Sequence, residues 1–99
     1  MNPTKKNEPR APEPIYAVCQ NGVFNIPEEL VASLEAYSPR RIVYLRNDED
    51  SVTISTSVLT DGRRRQLTNH YRVPMFRGVT RVAIIDLKES LRVMPVEWR

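Results

Sequence analysis

The chain has 99 residues, 27% charged and 40% hydrophobic, with a formal net charge of +3. That is the composition of one small globular domain with a modest core. No apolar run approaches the roughly 20 residues a membrane helix needs, and a single cysteine, Cys19, excludes an internal disulfide; a cytoplasmic protein is expected.

The charge is unevenly spread. Residues 1–14 carry Lys5, Lys6 and Arg10 against Glu8 and Glu13, a balance of +1. Residues 15–57 carry Arg40, Arg41 and Arg46 against Glu28, Glu29, Glu35, Asp48, Glu49 and Asp50, a balance of −3. Residues 58–99 carry eight arginines and Lys88 against Asp61, Asp86, Glu89 and Glu97, a balance of +5. Arginine is suited to forked contacts with phosphate or carboxylate, so the second half points to an anionic partner. The same asymmetry also fits two halves or two subunits that attract each other.

In chain order, residues 1–14 hold four of the eight prolines among polar filler and are read as a disordered arm. Ile15–Cys19 reads as a strand, Asn21-Gly22 as a tight hairpin turn, and Val23–Ile26 as the returning strand. Pro27 fits the first position of a helix of about ten residues, with Glu28 and Glu29 in the first turn and Leu30, Val31 and Leu34 on one apolar face. Pro39 ends it. Ile42–Arg46 is a strand, Asn47–Asp50 a polar turn, and Ser51–Ser57 an alternating strand expected to bury Val52 and Ile54 and expose its Ser and Thr side chains.

After a second turn at Asp61-Gly62 comes the cluster Arg63-Arg64-Arg65. Residues 66–78 show no clear periodicity, although Leu67, Tyr71, Val73 and Phe76 are candidates for partial packing. Val79–Leu87 is the most apolar strand of the second half. Lys88–Leu91 is read as a helical turn, Val93–Trp98 as a strand broken at Pro95, and Trp98 as an anchor docked on the core, ahead of a place in a subunit interface.

Signatures of catalysis are missing. His70 stands alone, no Cys/His/carboxylate spacing suits a metal, and the three glycines are isolated, so neither an enzyme nor a cofactor or metal is expected. Asp48, Glu49 and Asp50 read as a solvated turn rather than a cation loop. Cys19 reads as a small apolar strand residue. The candidate contact residues are Arg40, Arg41, Arg63, Arg64, Arg65, Arg72, Arg77 and Arg81, with His70 and Tyr71 beside Arg72 as rings able to stack on a base.

Val18, Gly22, Val23, Ile26-Pro27-Glu28-Glu29-Leu30, Ile42–Leu45 and Val52-Thr53-Ile54, in that order, resemble the AbrB/MazE (SpoVT-AbrB) family of swapped-hairpin DNA-binding domains over residues 15–57. The resemblance implies a mainly β fold with one short helix (α+β), closed as a barrel by a homodimer or by a tandem pseudo-repeat. It also implies a DNA-binding transcriptional regulator or an antitoxin, the latter with a protein toxin as partner. Many family members carry an arginine directly after the turn glycine; here Val23 stands there, so DNA contact would pass to Arg40, Arg41 and the arginines of 63–81. The alternative is a non-catalytic protein–protein adaptor that keeps the fold and binds a partner along the edge of Ser51–Ser57. Residues 58–99 are read as a basic extension or a degenerate second copy, because Val23–Val31 can be laid on Ile84–Arg92 with matching apolar, acidic and leucine positions.

Overall fold

The computed structural model describes residues 13–99; the arm proposed for 1–14 therefore lies almost wholly outside the described residues. The described residues form eight strands, β1 (Ile15–Gln20), β2 (Val23–Asn25), β3 (Ile42–Asn47), β4 (Val52–Ser55), β5 (Arg63–Gln66), β6 (His70–Arg72), β7 (Val79–Asp86) and β8 (Ser90–Trp98). One helix, α1 (Glu28–Tyr37), and a 3-10 turn at Pro74–Phe76 are the remaining elements among them. All pairings are antiparallel, in the order β5-β3-β4-β8-β7-β1-β2-β6, and the sheet curls into a half-barrel. Mainly β with one short helix is the observed class.

The β1–β2 hairpin turns at Asn21 (φ 54°) and Gly22 (φ 79°), two consecutive left-handed residues as a type I′ turn requires. β2 is short because Ile26 leaves the ladder and donates its N–H to the Asn69 carbonyl (2.8 Å). Pro27 stands one position earlier than expected, as the N-cap, with φ −59° and ψ 149°. Its extended ψ lets its carbonyl accept from Leu30 and Val31 N–H, and the first helical residues are Glu28 and Glu29. The helix buries Leu30, Val31 and Leu34, the face expected from their spacing, against the concave side of the sheet. Ser38 ends it; its hydroxyl bonds both the N–H and the carbonyl of Ile42 and so holds the loop that enters β3.

Several expectations for the later segments are corrected. β4 is paired on both edges, by β3 and β8, and is buried on both faces, not half-exposed, because its small Ser and Thr side chains stand beside larger ones, Arg46 and Arg92 at Thr53 and Tyr44 at Ser55. Ser51–Ser57 is therefore no edge, and the adaptor reading loses the surface first assigned to it. Arg63–Gln66 is a strand, not a loop, drawn into the sheet by β3. Leu67, Tyr71, Val73 and Phe76 are all buried, each as part of the one core.

Lys88 is not in a helical turn. It sits at φ 74° in the β7–β8 hairpin, its N–H held by Asp86 Oδ1 (2.7 Å), and β8 begins two residues later at Ser90. β8 then runs through Pro95 without ending. Its pairing with β4 stops at Val93, so Pro95 has a ladder neighbour only in β7, and the register slips beside it between Arg81 and Val82. Trp98 is 63% exposed and does not dock on the core, since β8 has outrun the sheet's buried centre by that point. The two stretches laid on each other also fold differently: Glu28–Val31 is helix, whereas its counterpart Glu89–Arg92 is the end of a hairpin bend and the start of a strand. Strands from 15–57 and from 58–99 form one sheet and one core.

Candidate anion-binding seam

The two end strands of the sheet, β5 and β6, are consecutive in sequence and joined by Leu67–Asn69. Curling brings them to opposite sides of an open seam. Two overlapping hollows of about 550 and 470 Å³ lie along it. Both are lined by Leu45, Arg63, Arg65, Arg72 and Pro74.

The register explains which arginines reach the seam. Val43 pairs with Arg65 and Leu45 with Arg63, so these two arginines share the concave face with buried side chains. They stay exposed because β5 lies past the end of the core, over the seam. Arg64 pairs with Tyr44 and projects to the opposite, convex face. Arg72 comes from β6, where Tyr71 is buried against Phe24 (ring centroids 6.2 Å apart) and anchors the strand.

Among the described residues, Arg63, Arg65 and Arg72 make no ion pair. Three arginines and no carboxylate line the smaller hollow. The larger one adds Asp48 and Asp61, but the Asp48 carboxylate is already committed, one oxygen to Arg46 Nε (3.0 Å) and the other to Thr53 Oγ1 (3.0 Å). Those two bonds also account for Asp48 as a turn residue. The seam is thus an exposed, net-positive groove whose guanidiniums are free for an anion.

The other candidate arginines divide. Arg41 is structural: it pairs with Glu35, its Nη2 donates to the Leu67 carbonyl (3.2 Å), and its own carbonyl accepts from Leu67 N–H (2.8 Å). It ties the helix end to the β5–β6 link. Arg81 lies over the Tyr16 ring (5.0 Å) and pairs with Glu97 (3.1 Å), away from the seam. Arg77 lines a separate hollow near the Asn21 turn, together with Arg99. Arg40 and Arg64 share a third depression on the convex face. Thus the eight arginines are brought to five places, and only Arg63, Arg65 and Arg72 converge on the seam.

His70 bonds Asn25 Oδ1 through Nδ1 (3.0 Å) and sits at the rim of the smaller hollow. Tyr71 is unable to stack on a ligand as expected, because its ring is in the core; burial also pushes its hydroxyl pKa above the usual value. Burial likewise raises the Cys19 thiol, whose Sγ lies 3.8 Å from the Phe76 carbonyl. Among the described residues no three His, Cys, Asp or Glu side chains gather as a metal site would need, and no helix is long and apolar enough to cross a membrane. Leu45 and Pro74, the apolar walls of the seam, carry no sign of that role in the sequence; the pairing of β3 with β5 sets Leu45 beside Arg63, and the turn after β6 brings Pro74. Compared with family models, curated proteins and solved structures, the chain matches none of them.

Proposed function

We propose that this protein is a non-enzymatic DNA-binding regulator or antitoxin that holds the phosphate backbone with Arg63, Arg65 and Arg72. The observation that carries this reading is the meeting of three arginines from two separate strands on one groove with no paired acid among the described residues. Guanidiniums placed this way suit phosphate oxygens, and phosphate contacts supply affinity with little sequence information. The swapped-hairpin ancestry belongs to the same proposal, with β7 and β8 taking in cis the places beside β1 and β4 that a second copy fills in the family. A homodimer belongs to it as the form in which two seams address one duplex. The core has no need of that dimer, since Leu30, Val31 and Leu34 are buried within one chain.

Fluorescence anisotropy on a mixed-sequence duplex tests the reading. If three phosphates are neutralised, a fourfold rise in salt weakens binding roughly 40-fold, and Arg63/Arg65/Arg72→Ala removes most of both the affinity and the salt slope. A wild-type protein that ignores duplex at low salt refutes it. Arg41→Ala serves as the contrast: it lowers the melting temperature through the lost Leu67 tie.

A protein–protein adaptor is the second reading, favoured by one observation: among the described residues β5 and β6 each have an unpaired edge. An extended acidic segment of a partner, a toxin included, would add a strand there and face the same arginines. Capture of an acidic peptide with no duplex binding would select it.

A further inference from the structure

The convex face of the same edge carries a second depression that the seam does not explain. It has a volume of about 500 Å³ and is lined by Tyr37, Arg40, Ile42, Tyr44, Val58 and Arg64, among others, none of them acidic. A smaller hollow of about 240 Å³ continues it, sharing Arg40, Ile42 and Arg64 and adding Arg65.

Each wall is held in place. Tyr44 is paired to Ser55 on one side and Arg64 on the other, so a tyrosine and a guanidinium stand as direct cross-strand neighbours. Tyr37 is the last residue of α1 and 49% exposed. Arg40 sits in the Ser38–Arg41 loop, which is fixed at one end by the Ser38 hydroxyl on Ile42 and at the other by Arg41 on Glu35 and Leu67. The Thr56–Gly62 loop forms the far side. Its turn closes through Gly62 N–H on the Leu59 carbonyl (2.9 Å), and a Cβ at Gly62 would lie 3.0 Å from that same oxygen and 3.4 Å from the Tyr44 Cβ.

Two tyrosines, two aliphatic side chains and two arginines that make no ion pair among the described residues surround one open depression and match a flat aromatic ligand bearing a phosphate. We infer that this depression takes an unpaired nucleobase of single-stranded DNA, stacked on Tyr37 and Tyr44, with the adjoining phosphates on Arg40 and Arg64. The inference rests on the nucleic-acid reading of the protein and adds to it a preference for unpaired bases, because a base inside a duplex has no free face to offer. β5 then acts as a shared wall, with Arg64 on the stacking side and Arg63 and Arg65 on the seam side.

Anisotropy on oligo(dT) and on a mixed-sequence duplex, measured side by side, tests it. Tyr37→Ala/Tyr44→Ala is expected to weaken oligo(dT) roughly 5- to 150-fold for one lost stacking interaction and to leave duplex affinity within about twofold. Tyr44→Phe is expected to retain oligo(dT) binding, since the ring and not the hydroxyl stacks. An amide-proton NMR titration of the wild-type protein with oligo(dT) needs no variant and is expected to move signals of Tyr37–Tyr44, Thr56–Val58 and Arg64. The stacking site is overturned by oligo(dT) binding that survives the tyrosine substitutions, by signals that move elsewhere, or by dTMP binding as tightly as oligo(dT). Duplex binding that fails while oligo(dT) binding depends on the tyrosines would overturn the duplex seam alone and leave the stacking site standing.

Discussion

Gly22 is placed by two constraints at once. Its φ of 79° is a backbone state other residues adopt with difficulty, and a Cβ there would come within 2.6 Å of the Val73 carbonyl oxygen. The approach is tight because Val73 N–H donates to the Gly22 carbonyl (2.7 Å), which sews the hairpin turn to the segment after β6. Gly22→Ala is therefore expected to cost about 1–3 kcal/mol, read as a lower urea midpoint with unchanged slope. The turn itself was legible in Asn21-Gly22, but the contact with Val73 was not, because it joins residues about fifty positions apart. The arginines show the same division. Residue type and clustering marked an anionic partner, whereas Arg41 and Arg81 look the same in sequence and are spent on Glu35, Leu67, Tyr16 and Glu97.

Two buried acids set the alkaline behaviour at this scale. The Tyr71 hydroxyl and the Cys19 thiol both have raised pKa values, with desolvation as the main cause. The unfolded chain then loses these protons at lower pH than the folded one. Stability is full below the ordinary values of 9.0 for the thiol and 10.0 for the phenol and declines as pH rises past them. A urea midpoint that falls from about pH 9 upward is expected, together with slow reaction of Cys19 with a thiol reagent in the native protein. A midpoint that stays flat to strongly alkaline pH contradicts the burial of both groups.

Among the elements, α1 was the most legible. Its start is marked by Pro27 and two acids, its end by Ser38-Pro39, and its buried face by Leu30, Val31 and Leu34. Leu34 is fully buried, so Leu34→Ala is expected to cost about 2–5 kcal/mol, with the half-buried Ser33→Ala near zero as its control. β4 was misread because alternation reports only which side chains are apolar. It cannot tell an edge strand from one with neighbours on both sides, and here the larger side chains of Tyr44, Arg46 and Arg92 on β3 and β8 flank and cover the Ser and Thr face as well. β5 was missed for the opposite reason. Four polar residues have no strand pattern of their own, and Arg63–Gln66 is extended only because β3 offers a free edge. Charge at such a position also discourages pairing with other chains, so the arginines guard the edge whether or not an anion is bound.

For the whole molecule, the decisive feature is what separates the two hairpins of residues 15–57. β1–β2 and β3–β4 are not neighbours; between β4 and β1 lie β8 and β7, both from the second half of the chain. The motif that is readable in 15–57 is thus a pair of hairpins whose shared core is completed from elsewhere, by Val79, Val82, Ile84, Leu91 and Val93 among others. The pairing partners of a strand cannot be seen in its own residues, which is why the first half resembled a complete unit. A chain ending at Ser57 leaves β1 without β7 and β4 without β8, and it exposes the apolar surface those strands cover. Such a chain is expected to be unfolded on its own, with collapsed amide-proton dispersion in NMR and no cooperative melt. Adding residues 58–99 as a separate chain is expected to restore dispersion, because the missing strands bring both the ladder partners and half the core. The opposite result would carry equal weight. If residues 15–57 alone give a dispersed spectrum and the mass of a dimer by light scattering, then two copies interleave their hairpins as the swapped-hairpin resemblance implies. In that event β7 and β8 of the full chain occupy, in cis, the place of a second copy.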